Sequence, residues 1–142
     1  MLWEIFAKLT VYGCVGLLME IFFTGIHSIL ILRDRNAICR TSLHMIPIYG
    51  GGALLLGLLR EVVPWKLLFI PICTLSIFMM EYISGWILRK LGIKIWDYAS
   101  SRFSIHGLVR VDYLPFWLMT AVAFDILADY VTKILEFVGK TA

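Results

Sequence analysis

Long apolar runs alternate with short basic stretches along this chain. Residues 9–32, 44–59, 67–88 and 113–134 are dominated by Leu, Ile, Phe, Val and Met. Three of these runs reach the roughly 20 residues that carry a helix across about 30 Å of hydrocarbon; the second is shorter. The pattern predicts four transmembrane helices in a single integral-membrane domain, residues 1–142. A cleavable signal has an apolar region of about 7–15 residues. The first run is longer and contains Glu20 and His27, so it is expected to stay in the mature protein.

Breakers fall near the ends of the runs. Pro47 and Pro115 lie close to the starts of helices two and four, and Pro64 opens helix three, where a missing N–H costs little. Pro71 lies inside helix three and should kink it or end a turn there. Helix two contains "YGGGALLLG". Three adjacent glycines let helix backbones approach closely in a membrane, or permit a break where the freed backbone is buried or wet. Close packing is the preferred reading.

Polar positions inside the runs carry the candidate chemistry. "LLMEIFFTG" places Glu20 in helix one, and "FMMEYISG" places Glu81 in helix three. Aligned on these acids, each half of the chain reads as a long helix, a basic loop and a second helix. The fold class expected is an all-α membrane protein. Its four helices form two parallel-repeat hairpins, with a structured interfacial loop between helices three and four.

Glu20, Glu81 and Asp125 all fall well inside apolar runs. An ionisable group at such depth costs at least about 2.5–3.5 kcal/mol and usually faces the bundle interior or a wet cavity. On helix one, Thr24 and His27 share a stripe with Glu20. The stripes on helices one and three lead toward His44, Asp97, His106, Arg110 and Asp112. The expectation is a polar pocket, open to the cytoplasm, in which at least one carboxyl holds a proton unless a cation sits among the acids. The plainer reading of Glu20 and Glu81 is a protonated acid bonding two helices together, worth about 0.6 kcal/mol. Asp129, four residues after Asp125, is expected near the outer surface. His27, His44 and His106 show no metal-ligand spacing, so no metal site is expected. Trp96-Asp97-Tyr98 reads most simply as an interfacial anchor.

Composition agrees with the membrane reading. The chain is 61% hydrophobic and 16% charged, with mean hydropathy +0.88. A soluble domain has about a quarter of its residues charged. The net charge of +3 does not point to nucleic acid, because the cations gather beside the apolar runs. Arg33, Arg35 and Arg40 follow helix one; Arg89, Lys90, Lys94, Arg102 and Arg110 follow helix three. By the positive-inside rule both loops are cytoplasmic and both termini outside. Three cysteines support no disulfide framework. GxSxG, HExxH, GxGxxG and a phosphate loop do not occur.

The motifs "MEIFFTG", "IPIYGGG", "EYISGWIL", "IWDY" and "HGLVRVDYLPFW" occur in this order. In this the chain resembles the bacterial CmpB-like membrane family, labelled type IV ABC transporters, and more distantly the transmembrane protein 229 group of vertebrates. The likeness covers roughly residues 13–125. It singles out Glu20, Gly25, Tyr49, Gly50, Glu81, Gly85, Trp96, Asp97, Tyr98, Gly107, Tyr113 and Trp117. Acids at Asp112 and Asp125 also match. The resemblance implies the bacterial cytoplasmic membrane and a transport label without an agreed mechanism. Any ATP-driven role it implies would need a separate ATPase subunit.

Three functions remain open. The first is binding or transport of a small solute or ion, with Glu20, Glu81, His27, Thr24, Tyr49, Asp97, His106, Arg110, Asp112 and Asp125 as ligand-binding residues. A homodimer is expected if a pathway must cross the bilayer. The second is an enzyme acting on a lipid or isoprenoid headgroup, with Asp97 and His106 as acid and base and Arg110 holding phosphate. The third is a scaffold or accessory subunit of a larger membrane complex. Trp96, Tyr98, Gly107, Tyr113 and Trp117 are expected to build the loop. No cofactor and no catalytic residue is assigned beyond these readings.

Overall fold

A computed structural model describes residues 2–141. Helix α1 spans Leu2–Leu30, α2 Met45–Val62, α3 Lys66–Lys90 and α4 Leu114–Thr141. Between α3 and α4 lie two short strands, β1 (Ser104–Ile105) and β2 (Val109–Arg110), and a 3-10 turn at Val111–Tyr113. All four helices are long and apolar enough to cross a membrane, so this is an all-α integral membrane protein. At about 1.5 Å per residue, the 29 residues of α1 are much longer than a bilayer core is thick, whereas the 18 of α2 barely match it.

Each helix runs past its apolar run at one end or both, although α1 stops at Leu30, two residues short of the end of its run. Helix α1 begins seven residues before its run, because Leu2 to Lys8 contains neither Gly nor Pro. Helix α2 continues through Arg60 and stops two residues before Pro64. Helix α3 passes through Pro71 without ending. The glycine triplet of α2 stays helical.

The chain divides into two compact units, residues 1–54 and 55–142. In the first, α1 and the start of α2 touch through small residues. A Cβ on Gly50 would sit 2.3 Å from the Leu9 carbonyl oxygen, so only glycine allows this approach. Residues 31–44 then fold back along α1. Asp34 accepts hydrogen bonds from the Asn36 backbone N–H (2.9 Å) and side-chain amide (3.0 Å), and its own N–H donates to Ser28 O.

In the second unit α3 packs on α4 around Phe69, Cys73 and Ala121, each at most 2% exposed. The hairpin pairs Ser104 with Arg110 and Ile105 with Val109, antiparallel. Near the start of α3, Arg60 bridges Asp125 (2.9 Å) and Asp129 (2.8 Å), and Lys66 reaches Asp125 from the other side (3.0 Å). Outward faces stay apolar: Leu67, Leu75 and Met79 on α3 are 88%, 62% and 55% exposed. Such faces suit contact with lipid tails rather than water.

Candidate functional site

The loop after α3 is clamped onto its helix by one side chain. Arg89, in the last turn of α3, donates to His106 O (2.8 Å), Gly107 O (2.6 Å) and Asp97 Oδ1 (3.3 Å). A planar guanidinium can serve three acceptors at once; an ammonium is a poor substitute. His106 and Gly107 reach this clamp with φ of +53° and +68°. A Cβ on Gly107 would lie 3.0 Å from both the Arg89 guanidinium and the Asp97 carboxylate. Asp97 also accepts from the Ala99 N–H (3.0 Å) and pairs with Lys94 (2.6 Å). Lys94 first, and then the Ala99 N–H, hold the Asp97 carboxyl below the usual carboxylate range.

The clamp lays the loop over the upper turns of α3. Gly85 makes room, because a Cβ there would meet Trp96 and Leu108 at 2.9 Å. Trp96 donates its indole N–H to Leu108 O (2.9 Å). Nine residues before the end of α3, about 13 Å down the helix, lies Glu81. Tyr98 of the loop and Trp117 of α4's first turn direct their donors at its carboxylate. The Trp117 N–H does not reach hydrogen-bond geometry, and both Glu81 Oε2 and Trp117 Nε1 are buried without a partner. Groups of this kind are uncommon in folded proteins, where most buried polar atoms are paired.

Arg110 borders the same region. Its guanidinium lies 4.3 Å from the Tyr113 ring centroid and 6.0 Å from that of Tyr98. It donates to Asp112 through two nitrogens and to the Tyr113 hydroxyl (3.1 Å). The bond to Asp112 strengthens the guanidinium's hold on its proton. Tyr98 and Tyr113 meet edge to face at 5.8 Å. Ser104, opposite Arg110 in the hairpin, projects from the same face and buries a hydroxyl with no partner.

The first unit treats Glu20 in a related way. Ten residues before the end of α1, its Oε2 accepts a hydrogen bond from Thr41 (2.6 Å) in the returning segment. Thr24, one turn on, accepts from the Arg40 N–H (3.2 Å) while donating to Glu20 O. Gly25 admits the segment, since a Cβ there would lie 2.9 Å from Cys39 Sγ. In each unit, then, an acid in the long helix faces donors from the loop that follows, and a glycine four or five residues later lets that loop lie close.

The other expected residues have separate surroundings. The His27 ring is exposed beside Phe23 at 6.5 Å, and His44 pairs with Ser42 (3.0 Å). Tyr49 packs over Gly16. His106 Nδ1 bonds the Tyr82 hydroxyl (2.9 Å). Asp125 is eight residues, about 12 Å along α4, from Trp117, and is held by Arg60 and Lys66. Among the described residues no group of three His, Cys, Asp or Glu could hold a metal ion. Sequence reasoning missed Arg89, Ser104 and Tyr82. Arg89 looked like an orienting charge, and a serine in an aromatic loop or a tyrosine in an apolar helix carries no signal of its own.

No solved structure matches this chain. The model of one protein family does, described as "Putative ABC-transporter type IV" and matching residues 7–142. The match spans nearly every element described above, including both acids and the clamped loop, and the chain belongs to that CmpB-type ABC-transporter family.

Proposed function

We propose that this protein binds a small solute at Glu81, beneath the loop of residues 91–113, as the membrane component of a transport system. What supports the reading is one observation: a carboxylate oxygen buried without a partner, Glu81 Oε2, beside Tyr98 and Trp117. A buried acceptor left unpaired costs about 1–3 kcal/mol, and a bound donor removes that cost. Arg110 and Asp112 neutralise one another over Tyr98 and Tyr113, so Glu81 sets the polarity of the site. The family's transport label favours movement of the solute over simple storage.

The proposal extends to the assembly. A separate ATPase subunit would energise transport, since the chain carries no phosphate loop. Four helices enclose little volume, so a homodimer would form any continuous pathway. The family resemblance suggests the bacterial cytoplasmic membrane, and the distribution of arginines and lysines favours basic loops inside and termini outside.

Both other readings receive less support. An acid and base at Asp97 and His106 would have to exchange protons with a substrate. Asp97 is engaged by Arg89, Lys94 and Ala99, and His106 by Tyr82. Glue between chain segments describes Glu20, whose carboxylate already has Thr41, better than it describes Glu81. The test is solute uptake by liposomes carrying purified protein, with and without the cognate ATPase. Glu81→Gln should weaken binding about tenfold and lower flux with it, and Glu20→Gln should retain both. Equal activity in wild type and Glu81→Gln would reject the proposal.

A further inference from the structure

Resting on the reading that Glu81 binds a solute, we infer that the ligand at this site is a neutral hydroxyl or carboxamide compound rather than a cation. Three polar atoms with no partner belong to this part of the second unit: Glu81 Oε2, Trp117 Nε1 and Ser104 Oγ. Trp117 and Glu81 are neighbours, and Ser104 shares a hairpin face with Arg110, which lies over Tyr98 and Tyr113. Glu81 Oε2 requires a donor, the indole N–H can only donate, and the serine hydroxyl does either. An occupant that satisfies the first two must donate and accept from the same small group.

That requirement excludes several classes. A metal ion or potassium offers no lone pair to the indole N–H and places positive charge against its positive edge. A primary ammonium can donate to Glu81 but has nothing to accept from Trp117. A quaternary ammonium can do neither, and its natural seat, an aromatic face, is taken at Tyr113 by Arg110. A phosphate or carboxylate would meet Glu81 as a like charge. A hydroxyl has one donor and two acceptor lone pairs, so it can donate to Glu81 and accept from Trp117 at once. A primary amide fits for the same reason. The hydroxyl could belong to a free polyol or to the glycerol headgroup of a lipid.

The indole signals of protein labelled with 15N-tryptophan read this site directly. The chain has five tryptophans, and Trp117→Phe assigns one signal while the other four report that the fold is intact. Protein in phosphatidylcholine nanodiscs, whose headgroup has no hydroxyl, is titrated with glycerol, myo-inositol, acetamide, choline chloride and potassium chloride. A second sample in phosphatidylglycerol nanodiscs receives no solute. The neutral probes should move the Trp117 signal saturably, and the salts should leave it in place. Glu81→Gln should weaken the response about tenfold, as the loss of one buried charged hydrogen bond does. A shift in phosphatidylglycerol alone supports the same chemistry with lipid as its source. A shift with choline or potassium only would overturn the neutral-ligand inference while leaving solute binding at Glu81 intact. No shift with any probe in either membrane would overturn both.

Discussion

Gly107 and Asp97 show how much of the loop depends on single residues. With φ at +68° and a Cβ position 3.0 Å from Arg89 and Asp97, Gly107 tolerates no side chain without movement. Gly107→Ala should lower stability by about 1–3 kcal/mol, the usual cost of a strained backbone site, read as a lower melting temperature of the purified protein. Asp97 makes the loop sensitive to acid. Its folded pKa is depressed by Lys94 and the Ala99 N–H, so its contribution is fully present above the ordinary carboxylate pKa of about 3.9. The contribution is lost as pH falls through the lowered value. Exchange protection of the Ala99 amide should therefore hold from pH 7 to pH 5 and fall below about pH 4, and Asp97→Asn should remove that step. Protection that is flat down to the lowest pH in wild type would contradict this. The two residues were legible to different degrees. "IWDY" and the His-Gly pair mark a special turn, but nothing in the string says that Arg89 is what the turn holds.

At the scale of elements, α1 and α3 each carry the loop that follows them back along their side. Four spans follow from apolar run length, because a membrane imposes a length on every crossing helix. Helix ends were less legible: α1 begins earlier and α4 runs later than the apolar runs, since charged residues at helix ends are solvated and do not stop a helix. The return of each loop was harder still to read. It depends on long-range contacts such as Thr41 to Glu20 and Arg89 to Gly107, which no periodicity encodes. Arg89→Lys should release the second loop, because one ammonium cannot replace a fork that grips two carbonyls and a carboxylate. Limited proteolysis should then cut within residues 91–113 several-fold faster than in wild type, with Trp96 emission shifted to longer wavelength. Cleavage at the wild-type rate would show that Gly85 and Trp96 hold the loop without the clamp.

For the whole molecule, the acids that stood out in the sequence acquire different settings. Glu20 has a threonine; Glu81 has an oxygen with no partner; Asp125 has two cations about 12 Å further along α4 from Trp117. Sequence reasoning found these carboxylates because charge in an apolar run is conspicuous. It could not rank them, because pairing is a property of the fold. Uptake assays on Glu81→Gln and Glu20→Gln separate the two roles, but they report on the site through function. An experimental density map of the protein in a lipid nanodisc examines it directly. Density for a non-protein group touching both Glu81 Oε2 and Trp117 Nε1 is the predicted result; a Trp117 N–H bonded straight to Glu81, with no group between or beside them, would contradict it.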